Sequence, residues 1–156
     1  MVARLCNDGM SASVVTDLAE AASRADIVSC ATLATEPLIS GTWLSPGSHL
    51  DLIGSFTPMM REAGDDCFMG ADVWVDTHEA LLKSGCLLHA MASGALVESQ
   101  VRGTLADLCT RSTMRHSPTG RTVFKSVGTA LADLAAAILV YDSVLRRPVG
   151  ARAVTP

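Results

Sequence analysis

Three short runs in the first half of the chain end on small or hydroxylated residues: DIVSCAT (26–32), HLDLIGS (49–55) and DVWVDT (72–77). The first is nearly continuous in apolar residues, and the other two repeat its pattern. Without clear polar alternation, such a run suggests a strand covered on both faces, as in a parallel sheet. Helical stretches separate the runs. DLAEAASRA starts at Asp17, and HEALLKSG is expected to close at Gly85. A shorter β-type run, SVVT (13–16), comes before the first of them. A last β-branched run, Thr122 to Phe124, passes through Lys125-Ser126-Val127-Gly128 into an alanine-rich helix from about Thr129.

Strands that alternate with helices in this way give an α/β doubly wound, mostly parallel sheet with a long C-terminal helix. Ala130 to Tyr141 is apolar on most faces and reads as a helix meant to be buried. The stretch from His89 to Gly120 is expected to be loop-rich, with one short helix around Thr104–Cys109. Thr104 would cap that helix and Asp107 would sit in its first turn. In such sheets ligands gather beyond the carboxyl ends of the strands. The tails Thr32-Leu33, Gly54-Ser55-Phe56 and Asp76-Thr77 therefore matter most.

Composition narrows the function. A chain of 156 residues suits one domain, and 49% hydrophobic against 18% charged residues suits a compact one. The net charge of −4, the absence of a basic run and an aromatic content of 4% argue against nucleic acid as a partner. Five cysteines, odd in number and without a CxxC, fit buried thiols in a reducing compartment. The sequence shows no signal-peptide pattern, and its longest apolar stretch, Leu134 to Tyr141, is far shorter than a membrane span. A cytoplasmic protein without membrane contact is expected.

The usual opening of a dinucleotide-binding sheet, strand–GxGxxG–helix, is not in the sequence. The chain begins with MVARLCNDGMSASVV, already inside what looks like a helix. The expectation is a Rossmann-type sheet truncated at its opening β-α-β. Residues 1–121 would form the partial dinucleotide-binding domain. Residues 122–146 would be a strand and helix that pack on a missing N-terminal domain, and 147–156 a flexible tail.

The KSVG junction has two readings. First-turn amides of a helix lack intrahelical partners and carry partial positive charge, so the junction suits a carboxylate, a phosphate or a carboxamide. It is also consistent with a plain capped helix start beside a structural or surface lysine, the reading that local sequence alone favours. Strand alternation would turn Lys125 away from Ser126.

ADIVSCATLATEPLI, HLDLIGSFTPMMREA and RTVFKSVGTALADLAAAILVYD, in this order, resemble the ornithine cyclodeaminase/mu-crystallin family. Within it they are most similar to the reductases of Δ1-pyrroline-2-carboxylate and Δ1-piperideine-2-carboxylate. The resemblance covers the carboxyl-terminal half of a usual member. It implies NAD or NADP as cofactor, a small cyclic imino acid or amino acid as partner, and a homodimer in the full-length form. It further implies that Thr32, Leu52, Ile53, Gly54, Ser55 and Ser126 line the dinucleotide and that Val127 lies against the substrate. No catalytic residue is assigned, and Lys125 is not implied to be one. Ornithine cyclodeaminases carry an aspartate shortly after the glycine of the second strand tip. Phe56 stands there instead, and it can neither take a proton nor hold an ammonium by charge. Reduction of a preformed C=N bond is the expected activity. Ornithine cyclodeamination and an inactive remnant or binding module are the alternatives.

The other polar clusters have plainer roles. Arg61-Glu62 is expected to form a structural ion pair, and Asp65-Asp66 a solvated loop. No metal site is expected, since Leu82 breaks the HExxH that His78-Glu79 would start. His49, His89 and His116 stand isolated, and Trp43 and Trp74 suit packing.

Overall fold

The computed structural model describes residues 1–110 and 119–145. His116 and the expected tail from residue 147 lie outside them. In chain order come α1 (Val2–Asn7), α2 (Leu18–Arg24), β1 (Ile27–Cys30), β2 (His49–Leu52), β3 (Asp72–Val75), α3 (Ala80–Lys83) and α4 (Gly85–Ala92). β4 (Val101–Thr104), α5 (Leu105–Thr110), β5 (Thr122–Lys125) and α6 (Ala130–Leu145) follow. The five strands form one sheet in the order β1-β2-β5-β3-β4. Every neighbouring pair is parallel, so the architecture is α/β and Rossmann-type, as the run pattern implied.

β5, grouped above with the C-terminal helix, is the central strand, hydrogen-bonded to β2 on one side and β3 on the other. The core gathers around it: Leu50, Leu52, Val73, Val75 and Val123 are almost wholly closed to solvent, together with Phe68, Leu87 and Leu96. β1 corrects the expectation of strands covered on both faces. It is the sheet edge, Ile27 is 67% exposed, and only Cys30 of its residues is buried. SVVT at 13–16 is not a strand, because no neighbour completes a ladder beside it, and Val14 and Val15 are exposed.

Asp17 caps α2 as expected, accepting from the Glu20 amide at 2.9 Å. Gly85 does not close a helix; it opens α4. A side chain there would collide with the carbonyls of Pro58 and Met60, which explains the glycine. The stretch after His89 is more regular than expected, with α4 running to Ala92 and β4 pairing with β3. β4 was hidden because VRGT carries an arginine and a glycine in place of an apolar run. The Thr104 cap is real: the Thr104 amide donates to Asp107 Oδ2 at 2.8 Å, and the Asp107 amide reaches back to Thr104 Oγ1 at 3.4 Å.

α6 carries no buried residue, and Leu131, Leu134, Ile138, Leu139, Tyr141, Val144 and Leu145 are all exposed. Its sequence is that of a buried helix, and within this chain nothing covers it among the described residues. No helix among the described residues is long and apolar enough to cross a membrane.

All five cysteines are free, with Cys6 and Cys109 exposed and Cys30, Cys67 and Cys86 buried. Burial pushes the Cys30 thiol up to about 11 and the Cys67 thiol up to about 12. Thiolate, the reactive form, is therefore suppressed as well as hidden. A colorimetric disulfide reagent near neutral pH is expected to titrate the two exposed thiols in the native chain and all five after unfolding. A third thiol reacting at the same rate as the first two would show that the core opens readily.

Candidate functional site

The parallel registers place Cys30, Leu52, Lys125 and Val75 in one row across β1, β2, β5 and β3. Just past that row the tips continue the ladder. The Ile53 amide donates to Cys30 O at 2.8 Å, Ser126 to Leu52 O at 3.0 Å, and Asp76 to Lys125 O at 3.1 Å. Thr32, Gly54, Ser126 and Asp76 therefore stand along one carboxyl edge.

Lys125 is not a surface lysine. It is completely buried, and its ammonium donates to the carbonyls of Leu52 (2.9 Å), Ser126 (2.7 Å) and Gly54. An ammonium has three protons, and each finds an oxygen. The Lys125 ammonium meets the Ser126 backbone carbonyl, while the Ser126 hydroxyl goes to Asp76. The lysine fastens the tip of β2 to the tip of β5 and so has a structural role. Burial lowers its proton affinity from the usual 10.5, while Cys86, Glu62, Asp76 and Asp51 pull the other way.

The anion-binding reading of the KSVG junction meets an occupant. Asp76 Oδ2 accepts from Ser126 Oγ at 2.8 Å, the Val127 amide at 2.9 Å and the Gly128 amide at 2.8 Å. Asp76 Oδ1 accepts from the Thr77 amide at 2.7 Å. The protein's own carboxylate fills the amide cup, and Gly128, at φ +80, supplies the left-handed turn that forms it. The helix start is capped too, since the Ala132 amide donates to Thr129 Oγ1 at 3.1 Å.

On the other flank, Glu62 is fully buried at the tip of β1. The segment around it pairs with residues 34–39: Arg61 donates to Ala34 O at 2.8 Å and Gly64 to Ile39 O at 2.8 Å. That pairing delivers Glu62 Oε1 to the Thr32 amide (2.6 Å) and the Thr32 hydroxyl (3.0 Å). Glu62 Oε2 is buried without a hydrogen-bond partner among the described residues. The expected Arg61–Glu62 ion pair is thus corrected: Arg61 pairs with Asp65 at 2.8 Å, and Glu62 turns inward to Thr32. Nor is Asp65-Asp66 simply a solvated loop. Asp66 Oδ2 accepts from Ser40 Oγ at 2.7 Å and ties two segments together. Among the described residues no group of three His, Cys, Asp or Glu side chains is placed to hold a metal ion.

The six residues expected to line a dinucleotide divide by exposure. Thr32 and Ser126 are half-buried at the edge and Ile53 is exposed, while Leu52, Gly54 and Ser55 are buried. Leu52 and Ser55 therefore offer no side-chain surface to a ligand. Ser55 adopts a left-handed φ of 47°, which sends its hydroxyl inward to donate to Met60 O at 2.5 Å and accept from the Cys86 amide at 3.1 Å. Gly54 serves by lacking a side chain, because a Cβ would press on Thr32 O and Glu62 Oε1. Val127 is half-buried beside Ser126, and Phe56 is exposed. The sequence reading marked Asp76-Thr77 as a strand tail without giving the Asp76 carboxylate a role, and it expected Glu62 in an ion pair rather than at this edge. For Asp76 the signal was its place at the tail of the DVWVDT run. For Glu62 there was none, because its partner is thirty residues away.

Comparisons with known proteins agree with the fold. The model of the ornithine cyclodeaminase/mu-crystallin family matches residues 1–147. The Δ1-pyrroline-2-carboxylate reductase of Paracoccus denitrificans is 43% identical over 131 residues, covering 81% of this chain and 42% of the relative. The ketimine reductase mu-crystallin of Mus musculus is 39% identical over 131 residues, covering 83% and 39%. Among solved structures, Thermococcus litoralis Δ1-pyrroline-2-carboxylate reductase in complex with NADH and L-proline superposes with a TM-score of 0.83 at 29% identity. That match covers 90% of this chain and 44% of the other. The chain spans less than half the length of each of these relatives. The family match takes in every strand tip described above as well as the KSVG junction, and the chain belongs to the ornithine cyclodeaminase/mu-crystallin family.

Proposed function

We propose that this chain is the dinucleotide-binding part of an NADH- or NADPH-dependent reductase of cyclic imino acids such as Δ1-pyrroline-2-carboxylate and Δ1-piperideine-2-carboxylate. The observation that carries it is the single carboxyl edge shared by Thr32, Gly54 and Ser126, cross-braced by Lys125. Similarity to a reductase whose structure holds NADH and L-proline supports it.

The edge suits a flat, amide-bearing ring. Gly54 lets the tips of β1 and β2 close together, Ile53 offers an exposed apolar surface, and Thr32 and Ser126 present hydroxyls on either side. When bound, reduced nicotinamide supplies the hydride for the C=N bond. The chain's own residues bind and orient. Glu62 fixes the Thr32 hydroxyl, Asp76 fixes Ser126, and Val127 lies against the substrate. Phe56, exposed where a cyclodeaminase would hold a carboxylate, supplies neither a charge nor a base at that position, which favours reduction over cyclodeamination. The exposed apolar side of α6 is the surface on which the remainder of a full-length protein would pack, and that protein would act as a cytoplasmic homodimer.

Calorimetric titration of the chain with NADH and with NADPH is expected to show one saturable site for at least one of them. A full-length version is expected to consume the reduced cofactor when given either imino acid, followed as loss of nicotinamide absorbance. Neither binding nor turnover would leave an inactive relative of the family.

A further inference from the structure

We propose that Asp76 sets the polarity of the Ser126 hydroxyl, so that this strand tip accepts a hydrogen bond from an N–H group of the ligand and turns anions away. The inference rests on the functional reading above and deepens it. Three donors, one of them the Ser126 hydroxyl, converge on Asp76 Oδ2, and a fourth reaches Oδ1. The carboxylate can only accept, and the single proton of Ser126 is committed to it at 2.8 Å. A hydroxyl oxygen has two lone pairs. The Gly128 amide takes one, at 3.3 Å, and no other described residue takes the second. Ser126 is half-buried at the edge, which leaves part of it open to a ligand. What meets that lone pair must be a donor. An anion would find the amides of Val127 and Gly128 already used and a negative charge behind them.

Two parts of the proposed ligands carry such a donor: the carboxamide NH2 of nicotinamide and the ring N–H of a cyclic amino or protonated imino acid. Two matched pairs of probes distinguish these sources. Nicotinamide against 3-acetylpyridine removes the amide donor, and L-proline against tetrahydrofuran-2-carboxylate removes the ring donor. Acetate tests the exclusion of anions. Each is titrated into the 156-residue chain while the backbone amide resonances of Val127 and Gly128 are followed.

The donor member of one pair is expected to bind about threefold to tenfold more tightly than its partner, the range of one hydrogen bond. Acetate is expected to leave both resonances unmoved. Ser126→Ala, which keeps Asp76 on both amides and so keeps the fold, should bring that ratio to about one. Asp76→Ala frees the hydroxyl to rotate and should also lower the ratio. No preference for the donor in either pair, or saturable acetate binding at these amides, overturns the proposal. A parallel titration with NADH separates the two readings. NADH binding without donor preference removes this inference and keeps the cofactor. Donor preference without NADH binding does the reverse.

Discussion

Lys125→Met is expected to lower the free energy of unfolding by about 2–4 kcal/mol, read as a shift of the urea midpoint at unchanged slope. Methionine is close to lysine in length and fills the same buried volume, so a cavity contributes little. The loss comes from the oxygens left behind. Leu52 O keeps the Ser126 amide, but the carbonyls of Gly54 and Ser126 have no other partner among the described residues. A buried acceptor without a donor costs about 1–3 kcal/mol. Removing the buried charge recovers part of its desolvation cost, yet a hydrophobic replacement is neutral only when both sides of the interaction are replaced, and backbone carbonyls cannot be. A loss below about 1 kcal/mol would mean that water reaches these oxygens and that Lys125 does not brace the edge.

The same lysine has a signature in pH. Burial places its folded proton affinity below the ordinary 10.5. In the window just under 10.5 the unfolded chain keeps the proton while the folded chain releases it. The unfolded state then binds more protons, and this contribution to stability rises with pH across the window; below the folded value it is flat. Cys30 and Cys67 work in the opposite direction. Their folded thiols, raised to about 11 and about 12, keep protons that the unfolded thiols lose above 9.0, so stability falls there. Both thiols are present in wild type and variant alike. The charge of Lys125 lowers the Cys30 thiol only as the smallest of its influences, so the difference between the two proteins is dominated by the lysine, and the gap should widen as pH climbs toward 10.5.

The local pattern of the sequence was enough for the central strands, the α2 cap and the Thr104–Asp107 box, because each depends on residues close together in the chain. It failed where tertiary position decides. DIVSCAT looks buried on both faces, yet it forms the sheet edge, and strand order cannot be read from a single apolar run. VRGT reads as a loop and pairs as a strand because β3 offers it a ladder. At the candidate site, the tips Thr32, Gly54 and Ser126 were legible as small residues after strands. What holds them was not. Lys125 could be read only as a structural or surface lysine because nothing nearby in sequence shows three carbonyls converging on it. The junction looked open to an anion because Asp76 lies fifty residues earlier.

Gly54→Ala is expected to cost about 2–3 kcal/mol in stability and to weaken NAD(P)H binding at least ~tenfold, by denaturation and calorimetry respectively. The added methyl carbon would lie closer than 3.0 Å to both Thr32 O and Glu62 Oε1. Neither neighbour yields easily. Thr32 O is backbone, and Glu62 is fully buried and already holds the Thr32 amide and hydroxyl. Gly54 itself is tethered through its carbonyl to Lys125. Gly9→Ala is the control: it also adds a methyl, but with nothing within 4 Å, so only its φ of +82° is penalised, about 1 kcal/mol. The two readouts then say which neighbour gave way. If Glu62 is displaced, a buried carboxylate loses its partners and stability falls with little change in the outline of the edge. If Thr32 retreats, the tips of β1 and β2 separate and affinity falls as well. Wild-type values for both would mean that the two tips are not pressed together, and the proposed nicotinamide edge would lose the close approach of Gly54 to Thr32 on which it rests.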